Sequence, residues 1–317
     1  MVVYAGQGDA RRSMSLLWRA ERPEQPRRTP GPGPRPGLSV DAIVTAAISV
    51  ADEEGMAALS MRAVGERLGR TAMALYTYVP SKGELLDLMY DAVHAELPRD
   101  YAAFTEAHAP GGGRRPSAEG ERPGGDDWRA GLTAWARDTL EFLLRHPWVL
   151  QVSQARPVLG PHEYAALDTL VRLLTGTGLE ARLVRRLVGT LTHFVRGCAG
   201  TVAEAREAAV ATGEPDEEWW FARSALLGEV APDFADRYPS LSAMERAGAP
   251  RPPSATDKGE DEREGGGEYS GEAGGGSAEG DEETMPFLER EARKTFAVGL
   301  DVLLDGIEAA TRRTGRP

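Results

Sequence analysis

Apolar residues in this chain recur at about 3.6-residue spacing, and this spacing constrains the fold more than any other feature. The alternation typical of β-strands is missing, and no two strand-like runs flank a hairpin signal. Capping residues before the periodic runs and glycine or proline after them mark helix ends. The sequence therefore predicts an all-α fold, with helices over about 40–54, 61–68, 72–78, 82–97, 127–145, 147–155, 162–175, 180–211, 216–229 and 286–312.

Three segments lack this spacing and divide the chain. Residues 1–37 carry seven arginines against three acids among many prolines and glycines, which predicts a disordered basic arm. Residues 109–126 and 249–283 are predicted to be disordered spacers, and the second holds eleven acids against three basic residues. The remaining sequence indicates one helical domain over 38–97 and a second over 98–317.

Composition limits where the chain works. A single cysteine, Cys198, cannot form an internal disulfide, which is typical of a reducing compartment. No apolar run is long enough to span a membrane, and the N-terminus has no secretory signal. We therefore expect a cytoplasmic protein without a membrane partner. The net charge of −12 excludes wholesale coating of nucleic acid but not a local basic face.

The segment 59–82 has the pattern of a helix-turn-helix. Val64 and Leu68 form the apolar side of one short helix, Gly69 allows a sharp turn, and Leu75 and Val79 anchor a second short helix. Four cations against one acid give this segment a local positive charge. On spacing alone, an ordinary helical hairpin with solvated arginines is an equally good interpretation.

Specific residues in this segment resemble the N-terminal domain of tetracycline-repressor-type (TetR-family) regulators. They are Ala74-Leu75-Tyr76, Tyr78-Val79, Ser81-Lys82 and Leu85-Leu86. The resemblance continues into the ligand-binding domain of the tetracycline-repressor branch, through Trp128, Leu143-Leu144, His146, Arg156-Pro157, and the runs 192–198 and 296–307. It implies a ligand-responsive transcriptional regulator, most simply a repressor released from a palindromic operator by a small molecule.

The resemblance implies a role for each residue of the DNA-binding domain. Arg62 matches a position that reaches a base edge, where an arginine suits guanine. Ala72, Met73 and Thr77 would face the major groove. Four further residues would contact phosphates, namely Thr71, Tyr76, Tyr78 and Lys82. Thr71 as a helix cap only, and Tyr76 as a half-buried core ring, remain alternatives. Arg70 departs from the family pattern, which has an apolar residue there.

The resemblance also places an effector pocket among the helices of the second domain. Its predicted lining is Trp135, Thr139, Arg156, Leu170, Leu174, Val188, Thr192, His193 and Thr201. Val152, Ala155 and Thr201 stand where the tetracycline-binding pattern has metal-directing side chains. We therefore expect an effector bound without Mg²⁺, no metal site and no cofactor.

Five glycines lie inside the two long C-terminal helices, at 189, 197, 200, 299 and 306. Glycine inside a helix costs about 1 kcal/mol relative to alanine, so close approach of another helix is a reasonable cause. Phe296, Leu300, Leu303, Leu304 and Ile307 form an apolar stripe that fits either ordinary core or an interface. The resemblance implies a homodimer joined through a four-helix bundle.

No catalytic motif is present. His162-Glu163 begins like a zinc-protease motif, but Ala166 stands where the second histidine is required. The five histidines are scattered without metal-ligand spacing. We therefore predict a regulator and not an enzyme. The alternative is a helical small-molecule-binding or hydrolytic protein whose helix-turn-helix no longer binds DNA.

Overall fold

The computed structural model describes residues 3–21, 38–101, 127–248 and 285–314. Throughout these ranges the regular structure is helical, and the single exception is a parallel bridge between Val3 and Val152. The all-α fold is therefore as predicted. The α-helices are α1 (Ala10–Leu17), α2 (Val40–Glu54), α3 (Met61–Leu68), α4 (Ala72–Tyr76), α5 (Lys82–Val93), α6 (Asp127–Arg145), α7 (Pro161–Thr175), α8 (Ala181–Thr212), α9 (Asp216–Val230), α10 (Phe234–Arg237), α11 (Pro239–Gly248) and α12 (Phe287–Thr314).

The chain divides into two compact units, residues 1–203 with 292–317, and residues 204–291. The first unit holds the helix-turn-helix together with α6, α7 and most of α8 and α12. Residue 97 is therefore not a boundary between compact units. The second unit contains α9, α10 and α11, of which the sequence predicted only α9. None of the helices in the described ranges is long and apolar enough to cross a membrane.

Short-range caps determine the helices that begin the predicted DNA-binding domain. The side chains of Ser39, Ser60, Thr71 and Ser81 each accept a hydrogen bond from a backbone N–H in the first turn of the helix that follows. The apolar faces of these helices meet in a core that includes Ile43, Val64, Leu75, Val79 and Leu85, all fully buried. With four caps in about 45 residues, the ends of these helices are determined mainly by residues close by in the sequence.

The N-terminal segment differs from its prediction. Residues 3–21 are not a disordered arm, because α1 begins after the cap Asp9 and packs on α5. The N–H of Gly6 donates to Asp87 at 2.8 Å, and the N–H of Asp9 donates to Glu84 at 3.2 Å. Prolines and arginines dominate the composition of 1–37 and hide this short amphipathic helix. The predicted remainder of the arm, 22–37, and both predicted spacers, 109–126 and 249–283, lie outside the described residues.

Both ends of this N-terminal segment are hydrogen-bonded to the turn and loop that follow α6. Val3 pairs with the backbone of Gln151 and Ser153, at 2.8 Å for each hydrogen bond. The indole Nε1 of Trp18 donates to the carbonyl of Leu159 at 3.0 Å. We call residues 3–21 the N-terminal clasp, because they bridge α5 and the loop 152–159.

Two predicted helices are shorter in the structure. The predicted helix over 82–97 is α5 followed by a 3-10 turn, His94–Glu96. The predicted helix over 147–155 is a 3-10 turn over Pro147–Gln151 that ends at Val152. Pro147 stands at the first position of the turn, where its missing N–H costs little, whereas Pro157 disfavours helical backbone at Arg156, so the predicted helix does not continue through 152–155. The loop that results borders a cavity described below.

Candidate DNA-binding face and effector cavity

The turn between α3 and α4 depends on two glycines. Gly69 ends α3 with a φ of +62°, in the left-handed region that favours glycine. A Cβ on Gly65 would lie 2.7 Å from the carbonyl oxygen of Arg70, which is closer than carbon atoms tolerate. The N–H of Arg70 donates to the Gly65 carbonyl at 2.8 Å. Gly65 was not singled out from sequence, although it fixes how closely α3 approaches the turn.

The side chains predicted to read bases lie at the protein surface, where the major groove of DNA could contact them. Met73 is 76% exposed, Thr77 is exposed and Ala72 is half-buried. The Arg62 side chain on α3 is exposed and its Nε donates to Glu66 one turn on, at 2.8 Å. This ion pair holds the guanidinium along α3 in the absence of DNA, and a guanine edge would compete with it.

The predicted phosphate contacts lie around this face. Tyr76 and Tyr78 are 42% and 39% exposed, so each ring is partly buried while part of it remains open to a phosphate. Lys82 is exposed and its Nζ donates to the Leu59 carbonyl at 2.6 Å. Thr71 caps α4, since its Oγ1 accepts from the N–H of Ala74 at 3.3 Å. These positions leave the hydroxyl and ammonium groups at the surface next to α4.

The four cations of this segment have different partners. Arg67 points back to α2, where it pairs with Glu53 and, at 3.9 Å, with Glu54. Among the described residues no carboxylate pairs with Arg70 or Lys82. Positive charge that is not neutralised locally is what phosphate contact requires. Arg70, which departs from the family pattern, is exposed and therefore adds to this charge instead of plugging the turn.

Buried hydrogen bonds join the DNA-binding helices to the rest of the first unit. Asp52 at the end of α2 accepts from His146 Nδ1 at 2.9 Å and from the Trp148 indole at 2.8 Å. On α5, the Asp91 carboxylate accepts from the backbone N–H groups of His162 and Glu163, at 2.9 Å each. Asp91 thus caps the N-terminus of α7 from another helix.

A cavity of about 410 Å³ lies behind these contacts, within the first unit. Its walls combine aromatic and aliphatic side chains with a few polar groups, as is typical of small-molecule sites. The lining residues are Tyr90, His94, Leu97, Trp135, Thr139, Phe142, Leu143, Val149, Gln154, Pro157, Leu159, Glu163, Tyr164, Ala166, Leu167, Leu170, Thr192 and Arg196. Four of the predicted pocket residues are among them: Trp135, Thr139, Leu170 and Thr192.

The other five predicted pocket residues do not line this cavity. Leu174 is fully buried in the core one turn beyond Leu170. Arg156 is exposed and borders a small neighbouring cavity. Val188 packs against the core, whereas His193 and Thr201 are exposed on another side of α8. The side of α8 that reaches the cavity carries Thr192 and Arg196, and one residue along a helix turns the side chain by about 100°.

Sequence reasoning missed most of the polar cavity wall. Burial raises the pKa of Tyr90 to about 12 and lowers that of His94 to about 4, and it raises the pKa of Glu163 above its usual range. Arg196 could have been found, because it follows Thr192 by four residues on one helix. Nothing in the sequence indicates that Tyr90 on α5, and His94 in the 3-10 turn that follows it, lie beside α7, since that contact is purely tertiary.

Of the five glycines on the long helices α8 and α12, Gly299 lies where the two helices pack together within the chain. A Cβ on Gly299 would lie 2.7 Å from the Phe194 ring, so this glycine is explained by packing inside the chain. At Gly189, Gly197, Gly200 and Gly306 a Cβ would meet only open space. Val298 and Val302, which precede Gly306 at four-residue intervals, are 66% and 65% exposed. An apolar, low-relief face is therefore open to a partner.

His162-Glu163 and Cys198 are the possible reactive groups singled out from the sequence. No group of three or more histidine, cysteine or acidic side chains could hold a metal ion there. His162 bonds with the Arg99 guanidinium at 2.8 Å. Cys198 is half-buried, and burial raises the pKa of its thiol, which disfavours the nucleophilic thiolate. A helix-turn-helix joined by buried contacts to a small-molecule cavity instead defines a DNA-binding regulator.

Comparison with known protein families agrees with this class. Residues 43–89 match the model of bacterial regulatory proteins of the tetR family, and residues 121–262 match the tetracyclin repressor-like C-terminal domain. The chain is 38% identical over 241 residues to the HTH-type transcriptional repressor DrrR1 of Streptomyces coeruleorubidus, covering 76% of this chain and 78% of that protein. The chain therefore belongs to the TetR family of transcriptional regulators.

More distant similarities extend to one further repressor sequence and to a solved structure. The chain is 27% identical over 161 residues to the class A tetracycline repressor from transposon 1721 of Escherichia coli, covering 50% of this chain and 65% of that protein. The crystal structure of Streptomyces coelicolor ActR in complex with actinorhodin has a TM-score of 0.57 and 20% identity, covering 87% of this chain and 97% of that chain. The likeness to ActR concerns the fold alone.

Proposed function

We propose that the protein is a ligand-responsive transcriptional repressor and not an enzyme, acting in the cytoplasm, where the chromosome lies. It binds a palindromic operator as a homodimer and leaves it when a small molecule fills the cavity. The observation that carries this proposal is the buried hydrogen bonding between the DNA-binding helices and the cavity walls. The alternative, a helical protein that no longer binds DNA, is not favoured, because the turn geometry and the exposed cations are intact.

DNA recognition rests on the exposed side of α3 and α4. Arg62 supplies the one side chain suited to a bidentate contact with guanine, and Ala72, Met73 and Thr77 supply shape and methyl contacts. Thr71, Tyr76, Tyr78 and Lys82, with Arg70 added by the structure, hold the phosphates and set the register. A five-residue recognition helix reads few bases, which is why two copies on a palindrome are required.

The dimer forms through the open face of α8 and α12. Gly197 and Gly306 let a partner helix approach closely, and Val298 and Val302 gain burial there. Sedimentation equilibrium should show a dimer that Val298→Asp with Val302→Asp converts to monomers. Val210→Asp, the control, changes an exposed valine near the end of α8, away from this face, and should leave the dimer intact. Monomeric wild-type protein at micromolar concentration would contradict this arrangement.

Effector binding reaches the DNA-binding helices through contacts already present in the free chain. Glu163 and Tyr164 line the cavity at the start of α7, and Asp91 on α5 caps that helix end. A ligand that moves the start of α7 therefore acts directly on α5, whose first residue is Lys82. Asp91→Asn retains the acceptor oxygen but removes the charge, so it should weaken the response to an effector more than it weakens DNA binding.

Selection from random DNA duplexes at near-physiological salt tests the proposed function directly, since no operator sequence has to be chosen beforehand. We expect enrichment of a palindrome whose half-sites are about one helical turn apart. A footprint at one half-site only would contradict the dimeric part of the proposal. Failure to enrich any sequence would contradict DNA recognition and favour the alternative.

A further inference from the structure

The cavity wall carries several titratable groups, but only one of them is a cation at neutral pH. Burial lowers the pKa of His94 to about 4, so the imidazole is neutral, and it raises the pKa of Tyr90 to about 12, so the phenol keeps its proton. Burial also shifts Glu163 towards its neutral form. Of the lining residues, Arg196 alone is positively charged.

Among the described residues, the Arg196 guanidinium has backbone partners but no carboxylate. Its Nη2 donates to the carbonyls of Val149, Leu150 and Val152, at 3.2, 2.6 and 2.8 Å. No acceptor for Nε or Nη1 is found in the part of the chain that the structure describes. Carbonyl dipoles orient the cation without cancelling its charge, and removal from water lowers its pKa. An anion in the cavity would accept hydrogen bonds from these N–H groups and would compensate the charge of the desolvated guanidinium.

A second polar group in the same cavity lacks a partner. The Thr139 Oγ1 atom is buried and has no hydrogen-bond partner among the described residues. Trp135, Phe142 and Leu170 line the same cavity and supply two aromatic rings and an aliphatic side chain. A buried hydroxyl without a partner costs free energy that a ligand oxygen can recover.

We propose that the effector of this cavity is a flat aromatic acid whose anionic group binds Arg196 and whose ring system fills the apolar wall. The inference rests on the proposed function only in treating the cavity as the effector site. The anion accepts hydrogen bonds from Nε and Nη1 of Arg196, and Thr139 contacts a polar substituent. This replaces Arg156, the cation expected from sequence, which is exposed beside the neighbouring cavity.

The same contact explains how the acid is sensed. Arg196 caps the carbonyl end of the 3-10 turn Pro147–Gln151, and the backbone of Gln151 and Ser153 pairs with Val3 of the N-terminal clasp. An anion that draws the guanidinium into the cavity weakens its hold on that turn. The turn and the clasp then move relative to α5, where the clasp contacts Glu84 and Asp87.

Three probes that share one ring system test the charge preference: anthracene carboxylate, anthracene carboxamide and aminomethylanthracene. Calorimetric titration of the full-length chain should show the carboxylate binding about tenfold or more tightly than the carboxamide. Binding of the carboxamide or the amine as tight as that of the carboxylate overturns the proposal. So does an absence of carboxylate binding at millimolar concentration.

Variants then assign the preference to one side chain. Arg196→Gln should reduce the carboxylate-to-carboxamide ratio to about one, Arg196→Lys should retain part of it, and the control Arg156→Gln should leave it unchanged. A ratio that survives in Arg196→Gln, or is lost in Arg156→Gln, overturns the assignment. The wild-type probe comparison remains decisive even if Arg196→Gln folds poorly.

DNA binding separates this inference from the proposed function. The wild-type protein should bind the selected palindrome without ligand, whereas Arg196→Gln, which lacks the hydrogen bonds to the carbonyls of 149–152, should bind it more weakly, as the wild type does with the acid bound. Failure of the charge test with intact DNA binding overturns the aromatic-acid effector alone. Failure of DNA binding in the wild-type protein overturns the proposed function instead.

Discussion

The DNA-binding helices and the cavity place their charged groups in opposite environments, the first in solvent and the second in the protein interior. Around α3 and α4 the cations are exposed: Arg62 and Arg67 pair with carboxylates one turn or one helix away, Arg70 and Lys82 pair with none among the described residues, and salt screens all four. In the cavity, burial shifts the pKa values of Tyr90, His94 and Glu163, and Arg196 has no carboxylate partner among the described residues. DNA binding should therefore respond mainly to ionic strength, and the cavity mainly to pH and to ligand charge.

The largest effect should come from the tightest backbone approach in the DNA-binding helices. Gly65→Ala places a Cβ against the carbonyl of Arg70, which cannot rotate away. We expect a loss of about 2 kcal/mol or more in the free energy of unfolding, and loss of operator binding. Gly83→Ala, where a Cβ makes only ordinary contacts at 3.4 Å or more, is the control and should unfold no more easily than wild type. Equal denaturation curves for wild type and Gly65→Ala would contradict this account of the turn.

The N-terminal clasp should give the next largest effect. Trp18→Ala removes the hydrogen bond to the Leu159 carbonyl and the ring contact with Tyr164 at 6.3 Å. Because Trp18 is half-buried, we expect a loss of about 1–2 kcal/mol, measured by chemical denaturation. Trp220→Ala, a change at a more exposed tryptophan in the second unit, should cost less. A Trp18→Ala protein as stable as wild type would mean that the clasp does not hold its position in solution.

A smaller effect tests the pH sensitivity of the cavity. The folded pKa of His94, about 4, lies below its unfolded value, so between pH 6.5 and about 4 the unfolded chain binds more protons. The free energy of unfolding therefore falls as the pH falls through this window. The raised pKa values of Asp91 and Glu163 act in the opposite direction, so a comparison with a variant is needed.

His94→Gln removes this titration while retaining a donor for the Tyr90 carbonyl, which lies 2.6 Å from His94 Nδ1. Since one side of the His94 ring lies on the cavity, where water can enter, we expect a difference of only about 1 kcal/mol at pH 5 relative to pH 7.5. Denaturation curves at both pH values provide the measurement. Identical pH dependence in wild type and His94→Gln would show that the imidazole is not buried as described.

The two regions also differ in how far the sequence predicted them. The helix-turn-helix follows from neighbouring residues, such as the cap Ser60, the stop Gly69 and the apolar Leu75, and it was predicted nearly to the residue. The cavity is assembled from α5, α6, α7, α8 and the loop after α6, so Tyr90, His94 and Arg196 meet only in the tertiary structure. Helix periodicity alone did not separate Thr192, which lines the cavity, from the exposed His193 beside it.

The N-terminal clasp failed prediction for a different reason. Its helix is eight residues long and adjoins a proline-rich run, so composition averaged over 1–37 favours disorder. Its position depends on Asp87 and Glu84, more than 70 residues away. The clasp donates backbone N–H groups to these two carboxylates on α5. Any residue can donate such a bond, so the sequence of the clasp does not indicate that it is held there.

One measurement tests the central claim most directly, namely that α3 reads bases while the start of α5 holds phosphate. Arg62→Ala and Lys82→Ala are compared by fluorescence anisotropy on the selected operator and on its single-base variants, over a range of salt concentrations. Arg62→Ala should abolish the preference for one base pair. Lys82→Ala should weaken binding to all sequences alike and reduce the slope of log affinity against log salt concentration by about one. If Lys82→Ala changed base preference and Arg62→Ala did not, the proposed reading of DNA by this protein would be wrong.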